Sequence, residues 1–144
     1  MRSLSLLAFM TLVSCAHPTR SLIEFMPNTQ AAPGPFSPAV RVGEFLYLSG
    51  TIGTDATGKV VPGGIRSETR QALQNIKGLV ERNGSSMDRV FKCTVFLADM
   101  SEWPAMNEVY VTFFPGPKPA RSAFGANGLA LNARVEIDCI ALLS

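Results

Sequence analysis

A chain of 144 residues is of single-domain size, and 47 % apolar against 17 % charged residues marks a globular protein rather than a disordered one. The formal charge of +2 is small and no run of Lys and Arg concentrates it, which argues against a nucleic-acid footprint. The single histidine, His17, falls in the N-terminal tail, which removes imidazole catalysis and most transition-metal sites from the folded part.

Residues 1–14 read as a signal segment. Arg2 gives a short positive start, and Leu4 to Val13 is an apolar stretch too short to span a bilayer. It ends in Leu12-Val13-Ser14-Cys15, which resembles the lipobox of bacterial lipoproteins. That resemblance implies cleavage before Cys15 and lipid attachment to its thiol; the plainer alternative is a secretory signal cut nearby. Ala16 after Cys15 points, by the same analogy, to the outer membrane of the cell envelope, facing the periplasm. Residues 15–31 follow as a polar tether without periodicity, and the folded domain is expected over 32–144.

That domain opens on a Pro/Gly-rich entry, Ala32 to Pro38. Val40 to Ser49 reads as one strand, with Phe45, Tyr47 and Ser49 on one face and Leu46 and Leu48 on the other. Ser49-Gly50-Thr51 breaks or bulges it, because Gly inside a strand marks close backbone approach. A turn-rich loop, Asp55 to Gly64, leads to a helix over Ser67–Asn83, with Ser67 as N-cap and Gly84 past its end. Arg89 to Ala98 reads as a strand. A second helix begins at Ser101, with Pro104 in its first turn and Met106, Val109, Tyr110 and Phe113 on one face. Strands over Ala120–Ala126 and Arg134–Leu143 close the chain. The order predicts an α+β layer of two helices on one sheet.

Cys93 and Cys139 lie inside apolar strand patterns and read as buried thiols. Export makes a disulfide possible, but two mid-strand cysteines rarely meet its geometry. Arg121, in Pro119-Ala120-Arg121-Ser122, is on its own a surface arginine at a strand start. It is also a natural fork for a carboxylate ligand. Glu136 shares a strand face with Arg134 and Asp138, a pattern that fits a solvated face with a cross-strand salt bridge. It equally offers a carboxylate to handle water or a proton.

Ordered along the chain, these segments resemble the Rid family (reactive intermediate deaminases, also called YjgF-like or RidA). Ala32-Pro33-Gly34-Pro35-Phe36-Ser37 is similar to the family's N-terminal segment, and Leu48-Ser49-Gly50 to its strand-ending motif. Gln71 to Ile76, Lys92 to Leu97 and Met106 to Tyr110 follow in register, then Pro119-Ala120-Arg121-Ser122 and Val135-Glu136-Ile137-Asp138. The resemblance implies a single-domain chorismate-mutase-like (bacillus type) fold with two helices on one mixed sheet. Three copies would form a homotrimer with a barrel-like centre and pockets between subunits. The implied activity is hydrolysis of 2-imino acids or their enamines to 2-keto acids and ammonia, a detoxification that uses no metal or cofactor. Arg121 would clamp the substrate carboxylate and Glu136 would hold the attacking water, while Phe36, Ser49, Gly50, Asn107 and Ala123 would line the pocket.

The chain departs from the pattern in places. Phe36 stands where Tyr is frequent, Thr51 where Gln is common, Ala123 where Cys is frequent and Ala130 where Pro is usual. The loop Pro115 to Pro119 is short. These changes, with export away from pyridoxal-phosphate enzymes, leave an alternative: a trimer that binds small carboxylates without turnover. A ribonuclease activity, also attached to the family, finds little support in a domain with no histidine and no basic patch.

Overall fold

The computed structural model describes residues 22–27 and 34–144. The signal segment, Cys15, His17 and most of the tether lie outside the described residues. Seven strands form one sheet: β1 (Ile23–Met26), β2 (Ala39–Val42), β3 (Phe45–Leu48), β4 (Thr51–Ile52), β5 (Val90–Leu97), β6 (Ala120–Gly125) and β7 (Val135–Leu142). Two helices, α1 (Gly64–Arg82) and α2 (Trp103–Tyr110), complete the α+β fold. The sheet runs β1-β2-β3-β7-β5-β6, with β4 also on β7. It is mixed, since β5 and β6 pair in parallel while every other pair is antiparallel.

Strand alternation does most of the folding work. Leu46, Leu48, Val95, Leu97, Ile137 and Ala141 all turn to one face of the sheet and are buried. There they meet the apolar stripe of α1, in which Ala72, Leu73, Ile76 and Val80 are fully buried. Met106, Val109 and Tyr110 of α2 extend the same core, with Phe114 just beyond the helix. The other face of the sheet keeps Phe45, Tyr47, Phe91 and Phe124 exposed.

Four expectations are corrected. The run from residue 40 to 49 is a hairpin of β2 and β3, because Gly43 takes a positive φ of 59° that turns the chain between them. The segment expected to be tether contributes β1, which extends the sheet beyond β2. Helix α1 starts three residues before Ser67, since Gly63 occupies the N-cap in the left-handed conformation at φ 108°. A side chain there would also meet Ser67 Oγ at 2.4 Å.

The fourth concerns the cysteines. Cys93 and Cys139 are joined in a disulfide, not left as thiols. The β5–β7 register sets them directly opposite each other, with Cα atoms 4.1 Å apart and both side chains on the core face. Alternation within each strand says only that both are buried. Their meeting depends on which residues pair across 46 positions of chain.

Candidate active site

Arg121 enters through β6. In the parallel register it lies beside Cys93, so its side chain leaves the sheet on the helix-covered face. Its guanidinium stands 4.5 Å from the centre of the Tyr110 ring and 5.6 Å from that of Trp103, both on α2. Among the described residues it meets no carboxylate and donates no hydrogen bond. Ala123, two residues on, shares that face, and Asn107 lies on α2 one turn from both Trp103 and Tyr110. Trp103 belongs to none of the motifs that mark the other site residues; its spacing of four and seven residues to Asn107 and Tyr110 is the signal that finds it.

Tyr110 is 2 % exposed, and its hydroxyl has no hydrogen-bond partner among the described residues. Burial pushes its pKa up to about 12, against the opposing pull of Arg121. It therefore stays a neutral phenol, and its ring rather than its oxygen faces the guanidinium.

Glu136 enters through β7, opposite Phe96 of β5 and Ile52 of β4. This register sends its side chain to the open face of the sheet, away from the helices. The carboxylate lies over Gly50, where a Cβ would come within 1.9 Å of Oε1 and 2.8 Å of Cδ. Gly50 is thus glycine because Glu136 occupies the space of a side chain. Ser49 donates its hydroxyl hydrogen to the Ser37 carbonyl at 2.7 Å, which ties the entry segment to the end of β3. Its oxygen keeps its acceptor capacity for a ligand. Thr51 is turned inward, donating to the Ser49 carbonyl at 3.1 Å.

Phe36, Ser49, Gly50 and Thr51 form one wall of an open groove of about 650 Å³, with Gln71, Asn75 and Arg82 of α1 on the other. Arg121, Asn107, Ala123 and Glu136 do not line it. The sequence-predicted residues therefore fall into two groups within one chain: Arg121, Ala123 and Asn107 beneath the helices, and Phe36, Ser49, Gly50 and Glu136 around the end of β3.

The cross-strand salt bridge expected of Glu136 does not form among the described residues, and Arg134 does not turn to it. Arg134 instead pairs with Glu102, and its backbone N–H donates to the buried Glu68 carboxylate at 2.7 Å. Glu136 meets no cation among the described residues. The result is one cation seated on aromatic rings and one carboxylate over Gly50, neither in an ion pair among the described residues. The guanidinium can bind an anion and the carboxylate can handle a proton. Among the described residues no cluster of three or more His, Cys, Asp or Glu could hold a metal ion.

Residues 26–143 match the profile of the family described as endoribonuclease L-PSP. The chain belongs to that family, the Rid family of the motifs above. It is 41 % identical over 126 residues to a mouse protein named 2-iminobutanoate/2-iminopropanoate deaminase, covering 85 % of this chain and 93 % of that one. A protein of the same name from the mite Dermatophagoides farinae is 44 % identical over 120 residues, covering 81 % and 94 %. Among solved structures, yeast Mmf1 superposes with a TM-score of 0.80 at 34 % identity, over 85 % of this chain and 99 % of that one. E. coli TdcF with bound serine gives 0.77 at 31 %, over 84 % and 100 %.

Proposed function

We propose that this Rid-family chain is a hydrolase acting on C–N bonds that deaminates 2-imino acids, of the 2-iminobutanoate and 2-iminopropanoate type, to 2-keto acids and ammonia. The observation that carries it is Arg121, a guanidinium seated on aromatic rings with its N–H groups uncommitted among the described residues. The names of the relatives in mouse and mite point to the same substrates, and TdcF with bound serine is a family precedent for a small amino-acid ligand.

The residues suit this chemistry. Arg121 holds the substrate carboxylate bidentately. Glu136 takes a proton from water as the water oxygen bonds to the imine carbon and the C=N pair moves to nitrogen, which then receives that proton. In the carbinolamine so formed, Glu136 passes the hydroxyl proton to nitrogen as the C–N bond breaks, releasing ammonia. The imine is already electrophilic, so positioning and proton relay suffice.

Because the sheet separates Arg121 from Glu136, one ligand reaches both only if a second copy supplies one of them. We therefore place the site at the cleft between subunits of a homotrimer, in the chorismate-mutase-like arrangement around a barrel-like centre. The exposed face with Phe45, Tyr47, Phe91 and Phe124 supports burial against other copies.

For location, we propose a lipid anchor on Cys15 and a place in the bacterial cell envelope, facing the periplasm. The buried Cys93–Cys139 disulfide supports an oxidising compartment, and of three cysteines it leaves Cys15 unpaired. Globomycin, which blocks lipoprotein signal cleavage, is expected to halt processing; unchanged processing refutes the anchor.

The activity is tested with the purified full-length chain and 2-iminobutanoate generated in situ. Ammonia release faster than in buffer, lost in Arg121→Ala, is expected; no acceleration overturns the proposal. Phe36, exposed and without a hydroxyl, favours a second reading, a binder of 2-keto or hydroxy acids. Saturable binding without ammonia release selects it.

A further inference from the structure

We propose that Trp103 and Tyr110 are positioning residues that form an aromatic cradle for Arg121, holding its charge in place while leaving its hydrogen-bond donors to a carboxylate ligand. This rests on the assignment of Arg121 to carboxylate binding, and adds how the arginine is kept ready.

An arginine is usually fixed by a carboxylate, and a carboxylate partner would occupy the fork and cancel the charge that an anionic ligand must find. Arg134 is held that way, by Glu102 and Glu68. Arg121 is held differently. The faces of the two rings, 4.5 and 5.6 Å from its guanidinium carbon, attract the cation through their π electrons and use none of its N–H groups. The cradle is itself rigid. The Tyr110 ring is buried against Phe114, with centroids 4.9 Å apart. Trp103 follows Glu102, whose carboxylate is anchored on Arg134 at the entrance to β7. Beneath them, Cys93 beside Arg121 is bonded to Cys139.

The Tyr110 hydroxyl makes no hydrogen bond among the described residues, so the ring is the working part of that side chain. This separates the proposal from a general packing role. Tyr110→Phe keeps the ring and Tyr110→Leu removes it; Trp103→Phe and Trp103→Ala do the same at the second wall. Trp103 is also the chain's single tryptophan, so its fluorescence reports on occupancy at Arg121.

The test uses the full-length chain, pyruvate as probe and its uncharged amide as control. Pyruvate is expected to change Trp103 fluorescence saturably, and the amide not. By calorimetry, Trp103→Ala and Tyr110→Leu should each weaken pyruvate binding by about tenfold, with the phenylalanine variants within about twofold of wild type. In turnover the same losses should appear in KM, with kcat little changed. Pyruvate binding that disappears in Arg121→Ala but is unchanged in both ring-removing variants overturns the cradle and leaves the deaminase assignment standing. Binding that survives Arg121→Ala overturns the carboxylate assignment itself, and the cradle with it. If Tyr110→Leu does not fold, the half-exposed Trp103→Ala decides alone.

Discussion

Arg121 and Glu136 stand on opposite faces of the same sheet. Arg121 pairs with Cys93 and points beneath α2, while Glu136 pairs with Phe96 and points to the open side. Under the proposed cleft, a ligand held by one chain's arginine meets the glutamate of another chain. Subunit mixing exposes this. Arg121→Ala and Glu136→Ala should each be inactive alone. Refolded together in equal amounts, they should regain about a quarter of wild-type activity, the share of clefts in a random trimer that receive both intact residues. Activity that stays at the level of the single variants shows that both residues act from the same chain.

Gly50 provides a way to disturb Glu136 without touching it. The carboxylate occupies the place of a Cβ at this position, and it is the movable end of a side chain rather than backbone. Gly50 is exposed and lies outside the positive-φ region, so Gly50→Ala should fold with a nearly unchanged Tm. The displaced carboxylate should lower kcat by about a hundredfold, the scale of a lost proton relay, with ligand affinity at Arg121 little affected. A kcat near that of wild type would show that Glu136 does not need its observed position.

Much of this arrangement is legible in the order of the residues, and what is not has a common cause. The alternation of Phe45-Leu46-Tyr47-Leu48 shows which side of β3 is buried, and the stripe from Ala72 to Val80 shows how α1 lies. Such patterns describe each element alone. Nothing in them says that Cys93 and Arg121 become neighbours, or that Cys93 meets Cys139, because these facts arise from pairing between distant strands. For the same reason Glu136 and Arg121, candidate site residues by their motifs, give no hint of lying on opposite faces. Ile23–Met26 escapes notice for a different reason: Leu22 to Met26 is apolar but for Glu24, yet it is a short run between polar segments, and it becomes a strand where β2 offers it an edge.

The disulfide should be a structural staple rather than an exposed switch, since Cys93 is fully buried and Cys139 is 1 % exposed. It closes a loop of chain that contains all of α2 and β6, and with them Arg121 and the rings it sits on. Replacing both cysteines by Ala should cost about 2–4 kcal/mol in urea unfolding, most of it by freeing the unfolded chain. The native protein should resist thiol alkylation until denatured and reduced, when two further thiols become reactive. Two thiols that react in the native state would contradict the bond and its burial.

Tyr110 gives the fold an alkaline limit. Its phenol ionises near pH 10 in an unfolded chain and near 12 in the folded one, because burial disfavours the phenolate. Between these values the folded state holds a proton that the unfolded state has released, so stability must fall as pH rises through that window. Below pH 10 both states are protonated and the effect vanishes. Tyr110→Phe should remove this contribution, so its unfolding free energy should decline less between neutral pH and pH above about 10. At neutral pH the variant should be at least as stable as wild type, because the hydroxyl it deletes is buried without a partner. In a Tyr47→Phe background the remaining tyrosine is Tyr110, and its absorbance should show phenolate appearing only near pH 12. Ionisation near pH 10 in the native protein would mean that the ring under Arg121 is open to water.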